Sequence, residues 1–196
     1  MKHNGISLLT EAFTYRDFVK EITTTLEDGQ ETTQTINYTS GQVEKLHIST
    51  NENGFNTVYE YTYDANGNIV SVKEGNKTTS YTYDSAGQLL RENNQAAGKT
   101  WVWTYDNAGN ILSRKEYAYT TGTLGAVVDT VNYGYNNTNW KDLLTSYGDK
   151  SITYDAIGTP LNDGSWAYTW DHCRQLASIK MRGFIEFQEK FLGKPE

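Results

Sequence analysis

The sequence is poor in cysteine and in basic residues, and each shortage excludes a class of protein. Cys173 is the single cysteine, which rules out a framework of internal disulfides. Lysine and arginine number 17 against 24 aspartates and glutamates, which gives a net charge of -7. The basic residues form no cluster. Nucleic acid is therefore not expected as a partner, because binding it requires a basic footprint.

Long apolar runs are also missing, and proline is scarce. No stretch approaches the roughly 20 apolar residues that a membrane-spanning helix needs, so no membrane insertion is expected. Near the amino terminus only residues 6–9 form an apolar core before Glu11, so no signal peptide is predicted in this chain. With two prolines, many threonines and 13% aromatic residues, the composition favours β-structure.

A short motif is repeated along the chain. It is written YTYDANGNI at 61–69, YTYDSAGQL at 81–89, WTYDNAGNI at 103–111, ITYDAIGTP at 152–160 and YTWDHCRQL at 168–176. Self-similarity at a period of about 20 residues indicates a repeat architecture. Within the motif, rings or aliphatic side chains flank a threonine. This alternation predicts a strand with rings on one face and threonines on the other.

The second half of the motif, Asp-x-x-Gly, predicts a tight turn. Aspartate at the first corner can accept hydrogen bonds from its own backbone, and glycine adopts the left-handed conformation that follows. A type I turn followed by a left-handed residue makes a three-residue hairpin loop with a bulge. The residues to which we assign this structural role are Tyr63, Asp64, Gly67, Tyr83, Asp84, Gly87, Tyr105, Asp106, Gly109, Tyr154, Asp155, Gly158, Trp170 and Asp171.

The Tyr-Asp motif with its Gly-Asn/Gln-Ile/Leu continuation resembles the YD repeats of the rearrangement-hot-spot (RHS) family of bacterial surface and polymorphic toxin proteins. The resemblance covers about residues 59–179. In that family such repeats form a long β-strip that spirals into a hollow shell, usually around a carboxy-terminal toxin domain. The alternation and the turns by themselves indicate only a β-repeat protein.

The fold class expected is all-β: an antiparallel meander of YD-repeat hairpins forming a curved, twisted strip, which the resemblance makes part of an RHS-type β-shell. Residues 1–58 are predicted to form degenerate hairpins and residues 59–179 the repeats proper. Residues 180–196 depart from the pattern. Their phenylalanines Phe184, Phe187 and Phe191 fall at helical spacing, so this tail is either a short helix or a frameshifted end.

The sequence gives less support to metal binding by the repeated aspartates and to catalysis by the cysteine than to structural roles for these residues. The aspartates could be calcium ligands, but each falls in a separate hairpin without the closely spaced oxygens of a calcium loop. Turn capping is the better interpretation. His172 next to Cys173 suggests a nucleophile and its base, yet neighbours in an extended chain point to opposite faces. No catalytic residue, cofactor or metal ion is therefore predicted.

The rings allow two interpretations. They can hold the sheet together as cross-strand pairs, each worth roughly 0.2–1 kcal/mol, and their placement beside the turns favours this structural role. They can also form a surface for stacking on sugars, in which case Trp101 and Trp103 are the candidate glycan contacts. The second interpretation makes the chain a carbohydrate-binding or cell-wall-binding module.

The function expected from the resemblance is structural rather than enzymatic. The chain would be a fragment of a shell that encloses and presents a toxin or effector of a larger bacterial surface or secreted protein. Its partners would be the remainder of that protein and its cargo, with cell-wall glycans as an alternative. Its location would be extracellular or cell-wall-associated. Unpaired terminal strands invite edge-to-edge self-association.

Overall fold

The computed structural model describes residues 2–3, 6–7, 9–13, 18–26, 28–52, 54–172 and 175–181, and the regular structure in these residues is entirely strand. The strands are β1 (Lys2–His3), β2 (Ile6–Ser7), β3 (Leu9–Phe13), β4 (Val19–Thr25), β5 (Glu31–Thr39), β6 (Gln42–Thr50), β7 (Asn56–Tyr63), β8 (Ile69–Glu74), β9 (Lys77–Tyr83), β10 (Leu89–Asn94), β11 (Lys99–Tyr105), β12 (Ile111–Ala118), β13 (Val127–Gly134), β14 (Ser146–Tyr147), β15 (Lys150–Ser151), β16 (Thr153–Tyr154), β17 (Pro160–Asn162), β18 (Trp166–Asp171) and β19 (Gln175–Met181).

Each strand pairs with its neighbour in sequence within its sheet. Strands β3 to β15 follow one another in a 13-stranded sheet, β16 to β19 form a 4-stranded sheet, and β1 pairs with β2. The registers are antiparallel, as the hairpin signals require. The predicted all-β antiparallel meander is therefore confirmed. No helix among the described residues is long and apolar enough to cross a membrane.

The chain divides into two compact units. The first contains Met1–Trp103 and Lys115–Asp129, and the second contains Thr104–Arg114 and Thr130–Glu196. The short helix or frameshifted end was predicted for residues 180–196, of which 182–196 lie outside the described residues. Strand β19 includes Lys180 and Met181, so the regular structure runs slightly past the boundary expected at residue 179.

The sheets bury little apolar surface. Among the described residues, Tyr117 is the one hydrophobic side chain classed as buried, whereas the polar Asn93, Thr100, Ser113 and Thr159 are buried. Large apolar side chains such as Leu176 remain about half exposed. A domain of this length usually stabilises itself with a closed apolar core. Here strand pairing, turns and hydrogen bonds contribute more to stability than a closed apolar core does.

The threonines of the motif lie on the face opposite to the rings, and three of the five use their hydroxyl across the hairpin. Thr62 Oγ1 is 2.6 Å from Ser71 Oγ, and the Thr169 and Ser178 hydroxyls are 2.7 Å apart. The same 2.7 Å pair joins Thr104 to Ser113. Cross-strand hydroxyl pairs of this kind add to sheet stability. In these three copies the threonine hydroxyl therefore has a serine partner that lies outside the repeated motif.

The cross-strand partners of the motif rings differ from place to place. Tyr61 lies opposite Val72, and Tyr81 lies opposite Glu92. In the second unit Tyr133 lies opposite Tyr147, with the ring centroids 5.2 Å apart. The interpretation of the rings as cross-strand pairs that stabilise the sheet stays a prediction.

Candidate functional site: the repeated aromatic-aspartate hairpin

The hairpin turn after β7 shows how the motif folds. Asp64 N donates to Asn68 O over 3.0 Å, and Gly67 N donates to Asp64 O over 3.1 Å. Gly67 has φ of 88°, so it occupies the left-handed position of the bulge. The Asp64 carboxylate closes the loop: Oδ1 accepts from Asn66 N and Asn68 N, each over 2.9 Å, and Oδ2 accepts from Asn68 Nδ2 over 2.9 Å.

The same loop recurs wherever the motif is complete. Asp84, Asp106 and Asp155 each accept two backbone N–H groups through Oδ1 at 2.8–3.0 Å. Asp106 adds the side-chain bond from Asn110 Nδ2 over 2.9 Å. The glycine that follows is left-handed in each loop, with Gly87, Gly109 and Gly158 at φ of 79°, 90° and 80°. Each carboxylate serves its own turn.

The last copy departs from this geometry. Asp171 pairs with Gln175 across the hairpin. His172, the residue directly after this aspartate, has a φ of 44°, whereas the complete motif has its left-handed glycine three residues after the aspartate. Cys173, for which a nucleophilic role was not favoured, lies outside the described residues. Within the described part of the chain no three His, Cys, Asp or Glu side chains come together as a metal site would require.

Hydrogen bonding lowers the pKa of Asp64 and Asp106. In both, the largest cause is the bond from the asparagine side chain, Asn68 or Asn110, followed by backbone N–H groups of the turn. A carboxylate whose folded pKa is depressed stabilises the fold above its unfolded pKa of about 3.9, and this contribution disappears as pH falls through the folded pKa.

We therefore expect the stability of the fold to depend less on pH when both carboxylates are replaced. Urea denaturation between about pH 5 and pH 2 should show a steep loss of stability in the native chain, since these groups must be protonated as it unfolds. Asp64→Asn with Asp106→Asn should flatten this pH dependence. Asp129→Asn is the control, because Asp129 is exposed and belongs to a strand and not to a motif turn. An unchanged slope in the double variant would contradict this role.

A second contact joins a hairpin to the one before it at five places in the described chain. The aromatic residue that precedes the aspartate donates a hydrogen bond to the backbone carbonyl at the start of the previous hairpin's return strand. In the first unit Tyr63 Oη donates to Val43 O over 2.7 Å, and Tyr83 Oη donates to Ile69 O over 2.8 Å. We call this contact the inter-hairpin bond.

The second unit repeats the inter-hairpin bond with different chemistry. Tyr135 Oη donates to Ile111 O over 3.1 Å, although Asn136 stands in place of the aspartate. Trp170 uses its indole Nε1 to reach Pro160 O over 2.6 Å. A tryptophan can therefore replace the tyrosine because both present a donor at the far end of a flat ring. Tyr154 Oη likewise donates to Leu144 O over 2.7 Å.

Sequence reasoning found the donors but missed the acceptors. The donors stand out because four of the five precede the motif aspartate, whereas the acceptors are backbone carbonyls of Val43, Ile69, Ile111, Leu144 and Pro160, whose aliphatic side chains take no part in the bond. One signal was available: the donor is always a ring with a polar tip, never phenylalanine. That preference indicates a hydrogen bond rather than packing alone.

We expect Tyr83→Phe to destabilise the β8–β9 ladder by about 0.5–1.5 kcal/mol, the net value of one intramolecular hydrogen bond. Amide hydrogen exchange of β8 and β9 would measure this locally. Tyr81→Phe is the matched control, because its hydroxyl makes no hydrogen bond to another described residue. Equal losses of protection in the two variants would show that the ring and not the hydroxyl matters.

The glycan candidates lie on β11, both half-buried. The Trp101 indole is already engaged, since its Nε1 donates to Glu116 Oε2 over 3.0 Å. Lys99 Nζ pairs with Glu116 Oε1 at 2.8 Å and lies 6.0 Å from the Trp101 ring centroid, a cation–π contact. Trp101 is thus part of the sheet's own contacts, and Trp103 stands one alternation further along the same face.

Comparisons with known proteins agree with this repeat geometry. The family described as Teneurin YD-shell matches residues 3–159. The chain is similar in structure to the Photorhabdus luminescens Tc holotoxin pore with a substituted TccC3, at 12% identity and a TM-score of 0.50, over 84% of this chain and 12% of that one. A crystal structure of a TcdB2–TccC3 complex gives 12% identity and a TM-score of 0.49, over 86% of this chain and 12% of that one. This chain therefore spans a small part of those structures. No curated protein matches its sequence.

Proposed function

Because the chain belongs to the Teneurin YD-shell family, we propose that it is a wall segment of a β-shell that encloses and presents a toxin or effector carried by a larger protein. A similar structure is that of a Tc holotoxin pore, and a toxin as cargo is carried over to this chain as part of the proposal. The wall of a shell encloses its contents sterically, so this role requires no catalytic residue.

The observation that carries the proposal is how the hairpins are fastened. Within a sheet, successive hairpins are tied by ladder pairing, and at five places a hairpin is also tied to the one before it by the inter-hairpin bond, as at Tyr83 and Ile69. Tyr117 is the one buried hydrophobic side chain among the described residues, so these strands do not close around a core of their own. A sheet that extends hairpin by hairpin, with both faces largely open, is suited to be a wall.

The partners proposed are the remainder of the parent protein and its enclosed cargo. A shell that presents a toxin must reach the outside of the cell, so we propose an extracellular or cell-wall-associated parent. The export signal would then belong to that parent. Edge-to-edge association between copies of this chain is the further contact that open strands permit.

Protease protection tests the containment. The full-length parent protein would be treated with a non-specific protease, and the survival of its toxin or effector module would be followed by mass spectrometry. We expect the module to survive within the parent at protease concentrations that degrade the same module expressed alone, because a closed wall excludes the protease. Mixing the free module with this 196-residue chain is the control and should give no protection.

Cleavage of the enclosed module as fast as the free one would overturn the proposal. Digestion of the wall itself has to be followed in the same samples, since protection has meaning only while the YD hairpins remain intact. The survival of peptides from 59–94 serves as this internal measure, because these residues form consecutive hairpins of one unit.

A glycan-binding module is the alternative, and the half-buried rings of Trp101 and Trp103 on one strand are the observation that favours it. Retention of the chain on insoluble cell-wall polysaccharide, lost in Trp103→Ala with the circular dichroism spectrum unchanged, would support it. Trp101→Ala is less informative, because it also breaks the contacts with Glu116 and Lys99. Absence of retention would remove this alternative.

A further inference from the structure

Arg114 on β12 is a cationic side chain without an acceptor in the described chain. Its Nε is buried and donates no hydrogen bond. No ion pair joins Arg114 to an acidic residue in the part of the chain that the structure describes. A buried N–H group without a partner is destabilising, and more so where it carries charge. Such a group in a native fold requires an explanation, and a bound ligand is one.

Arg91 shows how the same chain satisfies a guanidinium that has a structural role. Its Nε donates to Asn93 Oδ1 over 2.7 Å, and its Nη2 donates to Thr120 O over 2.7 Å and to Gly122 O over 3.0 Å. Arg91 and Arg114 are the two arginines among the described residues. The unused donors of the second are therefore specific to its position.

Arg114 lies on the face of the sheet that carries the motif rings. Its neighbour Ser113 bonds Thr104 on the threonine face, and successive residues of a strand point to opposite faces. The next strand in the sheet, β13, contains Tyr133. Burial is the largest cause of the raised pKa of Tyr133, and the positive charge of Arg114 acts against it. The guanidinium is therefore close enough to influence this phenol.

Two tyrosine rings give the guanidinium surroundings of low polarity. Tyr133 lies opposite Tyr147, and the two rings meet edge to face with their centroids 5.2 Å apart. Both tyrosines and Arg114 are half-buried. A charge-assisted hydrogen bond is stronger where water is partly excluded, because the effective dielectric constant is lower. An anion therefore gains more here than at a fully exposed arginine.

The charge and shape of Arg114 favour a carboxylate over other anions. A guanidinium presents its N–H groups in a fixed fork that matches the two oxygens of a carboxylate. The next cation along β12, Lys115, lies on the opposite face, so β12 offers one positive charge to the rings. A carboxylate balances that charge. A phosphate group, with a charge of about −1.5 to −2, would leave negative charge unpaired in a half-buried place.

We propose that Arg114 binds the carboxylate of an acidic side chain, an aspartate or a glutamate of another polypeptide segment. Under the proposed function, the segments that meet this sheet are the cargo and the remainder of the parent protein, so the source of the carboxylate rests on that function. The two can fail separately. Loss of protease protection would remove the source and leave the site, whereas failure to bind a carboxylate would remove the site and leave the wall.

Proton–nitrogen NMR of the arginine side chains in the full chain tests the site. The probe is an acetylated and amidated Gly-Glu-Gly peptide, whose one charge is its carboxylate. We expect the Nε–H signal of Arg114, assigned by its loss in Arg114→Lys, to shift and saturate as peptide is added. The signal of Arg91 should stay in place, because its acceptors are internal. The matching Gly-Gln-Gly peptide should shift neither signal.

Removal of the charge measures its contribution to binding. Followed on the ring protons of Tyr133, the affinity for the Gly-Glu-Gly peptide should fall about tenfold or more in Arg114→Gln, the loss expected for a hydrogen bond to a charged group. Lys115→Gln is the matched control. It removes the neighbouring charge on the opposite face and should change the affinity by less than about twofold.

Urea denaturation without peptide separates binding from a structural role. Arg114→Met keeps a long unbranched side chain and removes the unpaired N–H group and charge, so this variant should unfold at the same or a higher urea concentration than the native chain. Arg91→Met is the control and should unfold at a lower concentration, because it leaves the acceptors on Asn93 and Thr120 without their donor.

Three results would overturn the proposal. An Arg114 signal that does not shift with the Gly-Glu-Gly peptide, or that shifts equally with Gly-Gln-Gly, would show that this guanidinium does not recognise a carboxylate. Inorganic phosphate that shifts the signal at a lower concentration than the acidic peptide would make phosphate the ligand. A loss of stability in Arg114→Met as large as that in Arg91→Met would make Arg114 a structural residue.

Discussion

Gly164→Ala is expected to destabilise the second unit by about 2–5 kcal/mol, the sum of left-handed backbone strain and overpacking. Gly164 has φ of 88° in the turn between β17 and β18. A Cβ there would lie 2.5 Å from Lys150 Cβ and 3.2 Å from Lys150 Cα. The second of these atoms belongs to the backbone of β15, so a change of rotamer cannot relieve the contact.

The same substitution would disturb the contacts around this turn. Lys150 Nζ donates to Ser165 Oγ over 2.7 Å, and Asp163 accepts from Ser165 N, Trp166 N and Tyr168 Oη at 2.6–2.8 Å. The bond from Tyr168 is the largest cause of the lowered pKa of Asp163, and the same bond raises the pKa of Tyr168. Pushing Lys150 away loosens the turn that these groups hold.

Gly29→Ala separates strain from crowding. Gly29 has φ of 86°, almost the value of Gly164, and a Cβ there would meet nothing within 4 Å. It should therefore cost only the left-handed strain of about 1–2 kcal/mol. Amide exchange in β15 and β18 for Gly164→Ala, and in β4 and β5 for Gly29→Ala, would measure the two locally. Similar losses at both sites would show that Lys150 moves without cost.

Thr100→Val is expected to destabilise the first unit by about 1–3 kcal/mol, the cost of leaving a buried polar group without its partner. Thr100 is fully buried, with a relative exposure of 0%. Its Oγ1 accepts from Thr120 N over 3.1 Å and lies within donor distance of Thr120 O, at 3.1 Å, and Asn93 Oδ1, at 3.2 Å. Valine matches the shape of threonine and removes this hydroxyl.

The hydroxyl belongs to a small polar network. Arg91 donates through Nε to Asn93 Oδ1 over 2.7 Å and through Nη2 to Thr120 O over 2.7 Å. Asn93 in turn donates to Ser80 Oγ over 3.0 Å. Arg91 can support Thr120 O and Asn93 in the valine variant, but Thr120 N has no replacement for Thr100 Oγ1. The loop after β12 should therefore loosen first.

Thr100→Ser is the matched control, because serine keeps the hydroxyl and loses one methyl group, worth about 0.8 kcal/mol. Urea denaturation gives the change in the free energy of unfolding, and protease nicking of residues 119–126 reports the loop. We expect nicking to increase in the valine variant and to stay near the native rate in the serine variant. A valine variant as stable as the native chain would show that this network does not contribute to the free energy of unfolding.

The sequence alone determined the fold class and the architecture of the turns. Alternation at period two around Thr62 and the Asp-x-x-Gly signature are local properties, since both depend on backbone conformation over a few residues. For the same reason the turns of the motif copies could be located, and the capping of its turn by Asp64 could be predicted. The resemblance carried by these residues pointed to the family that the comparison then showed.

Only the tertiary structure decided which distant residues meet. The acceptor at Ile69 O, the crowding of Gly164 by Lys150 and the burial of Thr100 beneath Thr120 join residues 14 to 20 positions apart. Such contacts depend on the register between successive strands and on the path of a loop, and neither leaves a local pattern. The acceptors are backbone carbonyls, so their side chains do not identify them. The sequence thus determined what each hairpin is, and the packing of one hairpin on the next decided what holds them together.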